Sequence, residues 1–345
     1  MAVYTSIDDP EKHFKTVIFT GNGADDRAIT VGFQPDLVFC KQRTDASGGY
    51  VVDVIRGNNA ALQFSNTNQE GTFASMTFES NGITVSGNEN LNNENAHNYA
   101  VWNWKAGGSG ASNTSGDINS TVSANTTSGF SIVKWTGSSD ASGATIAHGL
   151  SAVPKFIIAK EYDDNGNNFV VYHYNTGAGG YLQLNSTATT ASSSIMWGNT
   201  VPSSSVFTVA NDSQTNATGS NFIAYCFADK QGFSKFGTYE GNNSANGTFV
   251  YTGFKPAFVL IKDVDATNNW GIVDNKRANS FNEISAMLNP NVASYEGANN
   301  EVDFLSNGFK WRSTDGNSNA AETYVYAAFA EAPFVNSNGV PCNAR

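Results

Sequence analysis

Tyr251-Thr252-Gly253-Phe254-Lys255-Pro256-Ala257-Phe258-Val259-Leu260-Ile261-Lys262 joins a turn-forming glycine, a proline and an apolar run that closes on a lysine six positions after the proline. The same grammar recurs twice upstream. Gly32-Phe33-Gln34 leads to Pro35 and the run Leu37-Val38-Phe39-Cys40-Lys41, and Gly149-Leu150 leads to Pro154 and Phe156-Ile157-Ile158-Ala159-Lys160. Proline fixes φ and suits the residue just before a strand, so each run reads as a strand with a defined start. Self-similarity at a fixed interval makes the chain an array of one structural unit, and function is sought first on the surface of that array. Pro35, Pro154 and Pro256, with Lys41, Lys160 and Lys262, define the repeat.

Other anchors keep the same order in each copy. Thr20-Gly21-Asn22, Thr136-Gly137-Ser138 and Glu240-Gly241-Asn242 open the units. Ser80-Asn81-Gly82-Ile83-Thr84-Val85 matches Ser306-Asn307-Gly308-Phe309-Lys310-Trp311, with Ser205-Val206-Phe207-Thr208-Val209 between them. Aromatic strands close the copies: Tyr99-Ala100-Val101-Trp102-Asn103-Trp104, Phe222-Ile223-Ala224-Tyr225-Cys226-Phe227 and Tyr324-Val325-Tyr326-Ala327-Ala328-Phe329. Repeats of about 100–115 residues exceed the solenoid range and are large enough to bury a core each, which predicts three separate small domains.

Charged residues make up 14 % of the chain, against roughly 25 % in an average soluble protein, while glycine and the turn formers are plentiful. Strand-like stretches rich in Val, Ile, Phe, Tyr and Thr alternate with turn signals, and no long stretch keeps helical spacing. The expected class is all-β: three tandem antiparallel β-sandwiches of jelly-roll or lectin-like type. The expected boundaries are a leading segment 1–13, repeats at 14–108, 130–232 and 233–335, a Gly/Ser/Asn/Thr-rich connector 109–129 and a tail 336–345. Phe233 and Phe236 at the short second junction predict a stiffer hinge there than at the polar connector.

The net charge of -11 and the pI near 4.7 argue against binding nucleic acid or an anionic membrane. No secretory signal and no apolar stretch long enough to span a bilayer is visible. Cys40, Cys226 and Cys342 lie far apart and read as thiols, not as a disulfide framework. His13, His97, His148 and His173 show no metal-ligand spacing. The loop Asp163-Asp164-Asn165-Gly166 has its glycine at the fourth position, where a calcium loop of the EF-hand type needs it at the sixth, so it reads as a hairpin. No cofactor, metal or catalytic residue is assigned, and an enzyme is not expected. Asp53 with Arg56 and Asp274 with Arg277 repeat an acid-to-arginine spacing suited to tying a strand end to a loop, with Tyr172 and Asn175 near that place in the middle copy. Trp197, Trp270 and Trp311 lie in or beside variable segments and are the candidate contacts for a ligand or partner, since flat aromatic faces suit sugar rings and protein surfaces.

The opening Tyr4-Thr5-Ser6-Ile7-Asp8-Asp9-Pro10, the Gly-Phe-x-Pro strands, Trp102-Asn103-Trp104-Lys105-Ala106-Gly107-Gly108, Val122-Ser123-Ala124-Asn125 and Gly129-Phe130-Ser131-Ile132-Val133 together resemble tandem-repeat virion proteins of tailed phages, notably from marine and cyanobacterial hosts. The resemblance covers nearly the full length. It implies a structural or tail-fibre-like protein on the particle surface, made in the host cytoplasm without a signal peptide. The partners it implies are other virion proteins, further copies of the chain in an oligomer and, for an appendage, host-surface carbohydrate. The alternative role is a capsid decoration, cement or head-fibre protein that bridges capsomers without touching the host.

Overall fold

All three post-proline runs are strands buried on both faces, and each lies inside its sheet. The computed structural model describes residues 7, 9–73, 75–277, 282–298 and 301–332, so the expected tail 336–345, with Cys342, lies outside the described residues. The first unit follows a 3-10 turn (Pro10–Lys12) with β1 (Phe14–Thr20), β2 (Arg27–Thr30), β3 (Leu37–Gln42), β4 (Tyr50–Asp53), β5 (Leu62–Gln63), β6 (Met76–Glu79), β7 (Gly82–Val85) and β8 (Asn98–Trp104). Next come β9 (Ala111–Asn113), β10 (Ser120–Asn125), β11 (Phe130–Thr136), β12 (Ala144–Ala147), β13 (Phe156–Glu161), β14 (Val170–His173), β15 (Gly180–Gln183), β16 (Ala191–Ser192) and β17 (Val206–Val209), then the short helix α1 (Ser213–Asn216) and β18 (Asn221–Phe227). The third unit holds β19 (Ser234–Glu240), β20 (Phe249–Tyr251), β21 (Phe258–Asp263), β22 (Gly271–Asp274), β23 (Val302–Leu305), β24 (Gly308–Trp311) and β25 (Thr323–Phe329).

One strand order appears three times. The large sheets run β1-β8-β3-β4-β5, β11-β18-β13-β14-β15-β16 and β19-β25-β21-β22, so each closing strand sits antiparallel between the first strand of its unit and the post-proline strand. Small sheets β2-β7-β6, β12-β17 and β20-β24-β23 cover one face of the large ones. The protein is all-β, built of antiparallel sheets packed as sandwiches. The opening glycines mark a close approach: a Cβ on Gly21, Gly137 or Gly241 would stand 2.0, 2.1 or 1.8 Å from the carbonyl oxygen of Glu94, Ala217 or Ala320. No side chain fits there.

The units do not stand apart. Each unit has an outer apolar layer between its two sheets, but the other face of every large sheet enters one common core. Phe14, Phe39 and Trp102 from the first unit, Phe130, Ile158 and Tyr225 from the second, and Phe236, Phe258 and Leu260 from the third all belong to it. At its centre the last aromatics of the three closing strands form a triangle: Trp104 to Phe227 6.2 Å, Trp104 to Phe329 5.6 Å and Phe227 to Phe329 5.6 Å between ring centroids. Each unit keeps a buried cluster of its own, and beyond what the sequence led one to expect the three share a further apolar layer that excludes water, so they stabilise one another.

The connector also differs from its expected form. Residues 109–129 contain β9 and β10, which add to the β11 edge of the second unit's sheet and widen it to eight strands. Thr121, Val122 and Ser123 on β10 pair with Lys134, Val133 and Ile132 on β11. Such a polar composition suits either a mobile or a surface-laid connector, and the segment takes the second form, as two strands laid on the sheet edge.

The ring of units is closed by three equivalent devices. Thr16, Ile132 and Phe236 share one register position, opposite Trp102, Tyr225 and Ala327. β10 covers Ile132, the carboxylate Oδ1 of Asp229 accepts from the Phe236 amide at 2.9 Å, and Oε1 of Glu331 accepts from the Thr16 amide at 2.6 Å. Glu331 therefore ties the end of the third unit to the start of the first. Carboxylates on edge amides satisfy groups that would otherwise recruit a foreign strand.

Candidate functional surface

The repeat-defining lysines turn out to work at the seams between units. Lys41 Nζ donates to its own loop at Ser47 O (2.7 Å) and to Val292 O of the third unit (2.9 Å). Lys160 Nζ reaches Asn167 O (2.9 Å) and Thr67 O of the first unit (3.4 Å), and Lys262 Nζ reaches Asp263 O (2.6 Å) and Thr187 O of the second (3.2 Å). All three are buried, and burial lowers each ammonium to about 8. Two residues beyond each lysine, the carbonyls of Arg43, Tyr162 and Val264 accept from the amides of Glu296, Glu70 and Thr190 across the same seams, at 2.9, 2.7 and 3.1 Å. The prolines Pro35, Pro154 and Pro256 are buried at the strand entries.

Two seams carry an ionic latch as well. Asp53 Oδ1 accepts from the Ile55 and Arg56 amides, and its Oδ2 takes Arg56 Nε at 2.5 Å and the Tyr225 hydroxyl of the second unit at 2.9 Å. Asp274 repeats this with Arg277 Nε at 2.6 Å and with the Trp102 indole of the first unit at 3.0 Å. Outer carboxylates complete the latches, Glu70 on Arg56 and Glu296 on Arg277, both at 2.9 and 2.8 Å respectively. Burial works against both guanidinium groups, yet the adjacent aspartates outweigh it and hold their pKa above the ordinary value. In the middle copy the register places His173 and Thr176 at these positions, one residue later than Tyr172 and Asn175.

The candidate contact residues are interior. Trp197, Trp270 and Trp311 are 2, 1 and 0 % exposed. Trp197 packs edge-on against Tyr172 in the second unit's outer layer, and Trp311 lies against Phe309 in the third's. Trp270 donates its indole N–H to Gln183 O across the seam between the second and third units, at 2.8 Å. None of the three can stack on a surface ligand. Large apolar side chains that do reach solvent include Tyr251, Tyr295 and Phe249, at 64, 64 and 43 %. Phe249 and Tyr251 point outward from β20, an edge strand, where the other units carry Ala28 with Thr30 and Thr145 with Ala147.

Other sequence candidates have structural partners. Asp163 in the hairpin loop accepts from the Asn221 amide and side chain at the head of β18. Asp265 does the same for the Thr323 amide, and the Thr44 hydroxyl accepts from the Asn98 amide. The loop aspartate is thus one of three equivalent ties. Cys40 and Cys226 are buried free thiols. Among the described residues no cluster of three His, Cys, Asp or Glu side chains is placed to hold a metal ion, and no helix is long and apolar enough to cross a membrane. A set of buried asparagines escaped the sequence reading: Asn93, Asn216 and Asn319 accept through Oδ1 from the amides of Asn22, Ser138 and Asn242. Asn93 and Asn216 stand six residues before their closing strand's first aromatic, but Asn319 stands five, which hides the match in an ungapped comparison.

No curated protein and no solved structure matches the chain. A family model does, over residues 9–333, which takes in all three units and every seam described above. The chain belongs to the family described as Domain of unknown function (DUF7483).

Proposed function

We propose that the chain is a non-catalytic structural protein of a phage particle, displayed as a surface appendage that contacts host-surface glycans. The observation that carries this reading is how the fold divides its surfaces. Over most of their area the large sheets are buried on both faces, so partners meet loops, sheet ends and three unlike outer sheets on a rigid frame. Such a frame presents surface, and binding residues concentrate on loops held by a scaffold. The sequence resemblance to tandem-repeat virion proteins supports the same role. Antibody labelling of purified particles, read by electron microscopy, tests it: label at the tail tip or on a projecting fibre supports host contact, and no label on the particle overturns the virion role.

A second reading is favoured by Phe249 and Tyr251, two exposed aromatics on an edge strand that suit a protein contact. On that reading the chain is a capsid decoration or cement protein, and the label spreads evenly over the head. Self-association is part of both readings. Light scattering that shows monomer alone at high concentration would remove it.

A further inference from the structure

The strands β9 and β10 give the second unit a feature its counterparts lack. Where they widen the sheet, a groove of about 190 Å³ opens, lined by Ser112, Asn119, Thr121, Lys134, Thr136 and Asn221. In the first and third units the register equivalents of Lys134 are Ile18 and Thr238, on strands with no neighbour added outside them among the described residues. The groove therefore exists because the polar segment 109–129 folded onto this edge.

Ser120 and Trp135 also line it, and apart from Trp135 its lining is polar. One wall is fixed, since the Thr136 hydroxyl donates to Asn221 Oδ1 at 2.8 Å and Asn221 Nδ2 donates to Asp163 Oδ2 at 2.7 Å. The opposite wall is unspent: the Ser112 and Thr121 hydroxyls, the Asn119 amide and the Lys134 ammonium have no hydrogen-bond or ion-pair partner among the described residues. Neutral donors and acceptors converge there with one cation, and no carboxylate lines the groove. In a chain of net charge -11 this is a local place for a single negative charge. Paired hydroxyl and amide groups match the alternating hydroxyls of a sugar ring, and an ammonium forms a charge-assisted hydrogen bond with a carboxylate.

We infer that this groove binds an acidic sugar residue, with Lys134 on the sugar carboxylate and Ser112, Asn119 and Thr121 on its hydroxyls. The inference rests on the surface-recognition reading above and names the ligand class for it. The space is below the roughly 300 Å³ at which well-enclosed ligand pockets begin, so it holds one ring, weakly, and gains from several copies acting together.

The test uses the full chain and saturation-transfer NMR with three probes: methyl β-glucuronide, the methyl glycoside of N-acetylneuraminic acid, and neutral methyl β-glucoside. At least one acidic probe receives saturation and the neutral one receives much less. Lys134→Gln weakens the acidic probe about tenfold, as loss of a charge-assisted contact implies, while Lys310→Gln on β24 leaves it unchanged. Circular dichroism confirms that both variants keep the fold. Silence for both acidic probes, equal affinity in Lys134→Gln, or an equal loss in Lys310→Gln overturns the inference. Particle labelling is scored separately. A binding groove in a chain absent from particles sinks the virion reading and keeps the groove, and labelled particles with a silent groove do the reverse.

Discussion

Two of the three seams are latched by buried ion pairs, and the third, among the described residues, is not. Asp53 with Arg56 grips Tyr225, and Asp274 with Arg277 grips Trp102, but His173 and Thr176 stand at the same positions between the second and third units. There the seam closes on aromatic packing that includes the short junction. Phe236 stacks on Phe156 with centroids 5.8 Å apart and meets Phe329 edge-on at the same spacing, while Phe233 enters the common core. The contrast shows that the scaffold requires a filled seam and not a particular interaction. Rings cross every seam, as Phe14 does to Phe258 and Phe329 at 5.6 and 5.4 Å, and ion pairs are added where the units are joined by a long path or none.

The largest expected effect comes from breaking a latch on one side. Arg277→Ala leaves Asp274 buried without its cation and should cost about 3–5 kcal/mol, read by urea unfolding, whereas Thr176→Ala at the matching place should cost less than about 1 kcal/mol. Similar losses for the two would erase the distinction between seams. Phe236→Ala attacks the unlatched seam and should cost about 3–4 kcal/mol, with the whole protein still unfolding in one transition, because the core is common. Two separated transitions, by fluorescence and circular dichroism, would restore independent domains.

Next in size are the lysine contacts, present at every seam. Lys160→Met leaves Asn167 O without its donor and Thr67 O with the Gly166 amide alone, and should cost about 1–3 kcal/mol at pH 7. The pH dependence sharpens this. With a folded pKa near 8 against 10.5, the unfolded chain holds the proton more tightly, so this group's contribution to stability rises as pH climbs from about 8 to 10.5. Wild type should gain on the Lys160→Met variant across that window, and parallel curves would count against the buried ammonium.

The smallest effect is at the acid end and belongs to the odd seam. Burial lowers His173 from 6.5 to about 4, so below pH 6.5 the unfolded chain takes a proton that the folded one refuses. Stability should fall by roughly 1–2 kcal/mol between pH 7 and 5 from this group, and His173→Gln should flatten that part of the curve. An unchanged slope, followed by thermal melting in matched buffers, would show that His173 does not titrate there.

The class of fold was legible because the repeat carries its own strand signals: a proline, a run of apolar residues, an aromatic closer. The common core was not. A run such as Phe258-Val259-Leu260-Ile261 is apolar on both faces, and the pattern reads alike whether the second face meets a partner sheet or another unit. Lys41, Lys160 and Lys262 were visible as repeat positions, but their acceptors are backbone carbonyls on distant loops, which no side-chain pattern announces. The tryptophans misled for a related reason. Trp197 and Trp270 are embedded in polar, turn-rich sequence and still point inward, Trp270 from the residue just ahead of β22 into the common core and Trp197 from a bend into the second unit's outer layer. Thr121 and Val122 were the strand signal inside the presumed connector, outweighed there by glycine and serine.

The carboxylate of Glu331 on the Thr16 amide sets the third unit against the first as though the two were neighbours in sequence, which a row of beads does not do. A chain permuted to join those two units and opened at another seam is expected to re-form the same contacts. The arrangement also frees each seam to vary by itself. Three identical subunits around an axis would change all their interfaces with every substitution, whereas one continuous polypeptide can keep two charged joints, convert the third to rings and a histidine, and add a grooved flange to a single side.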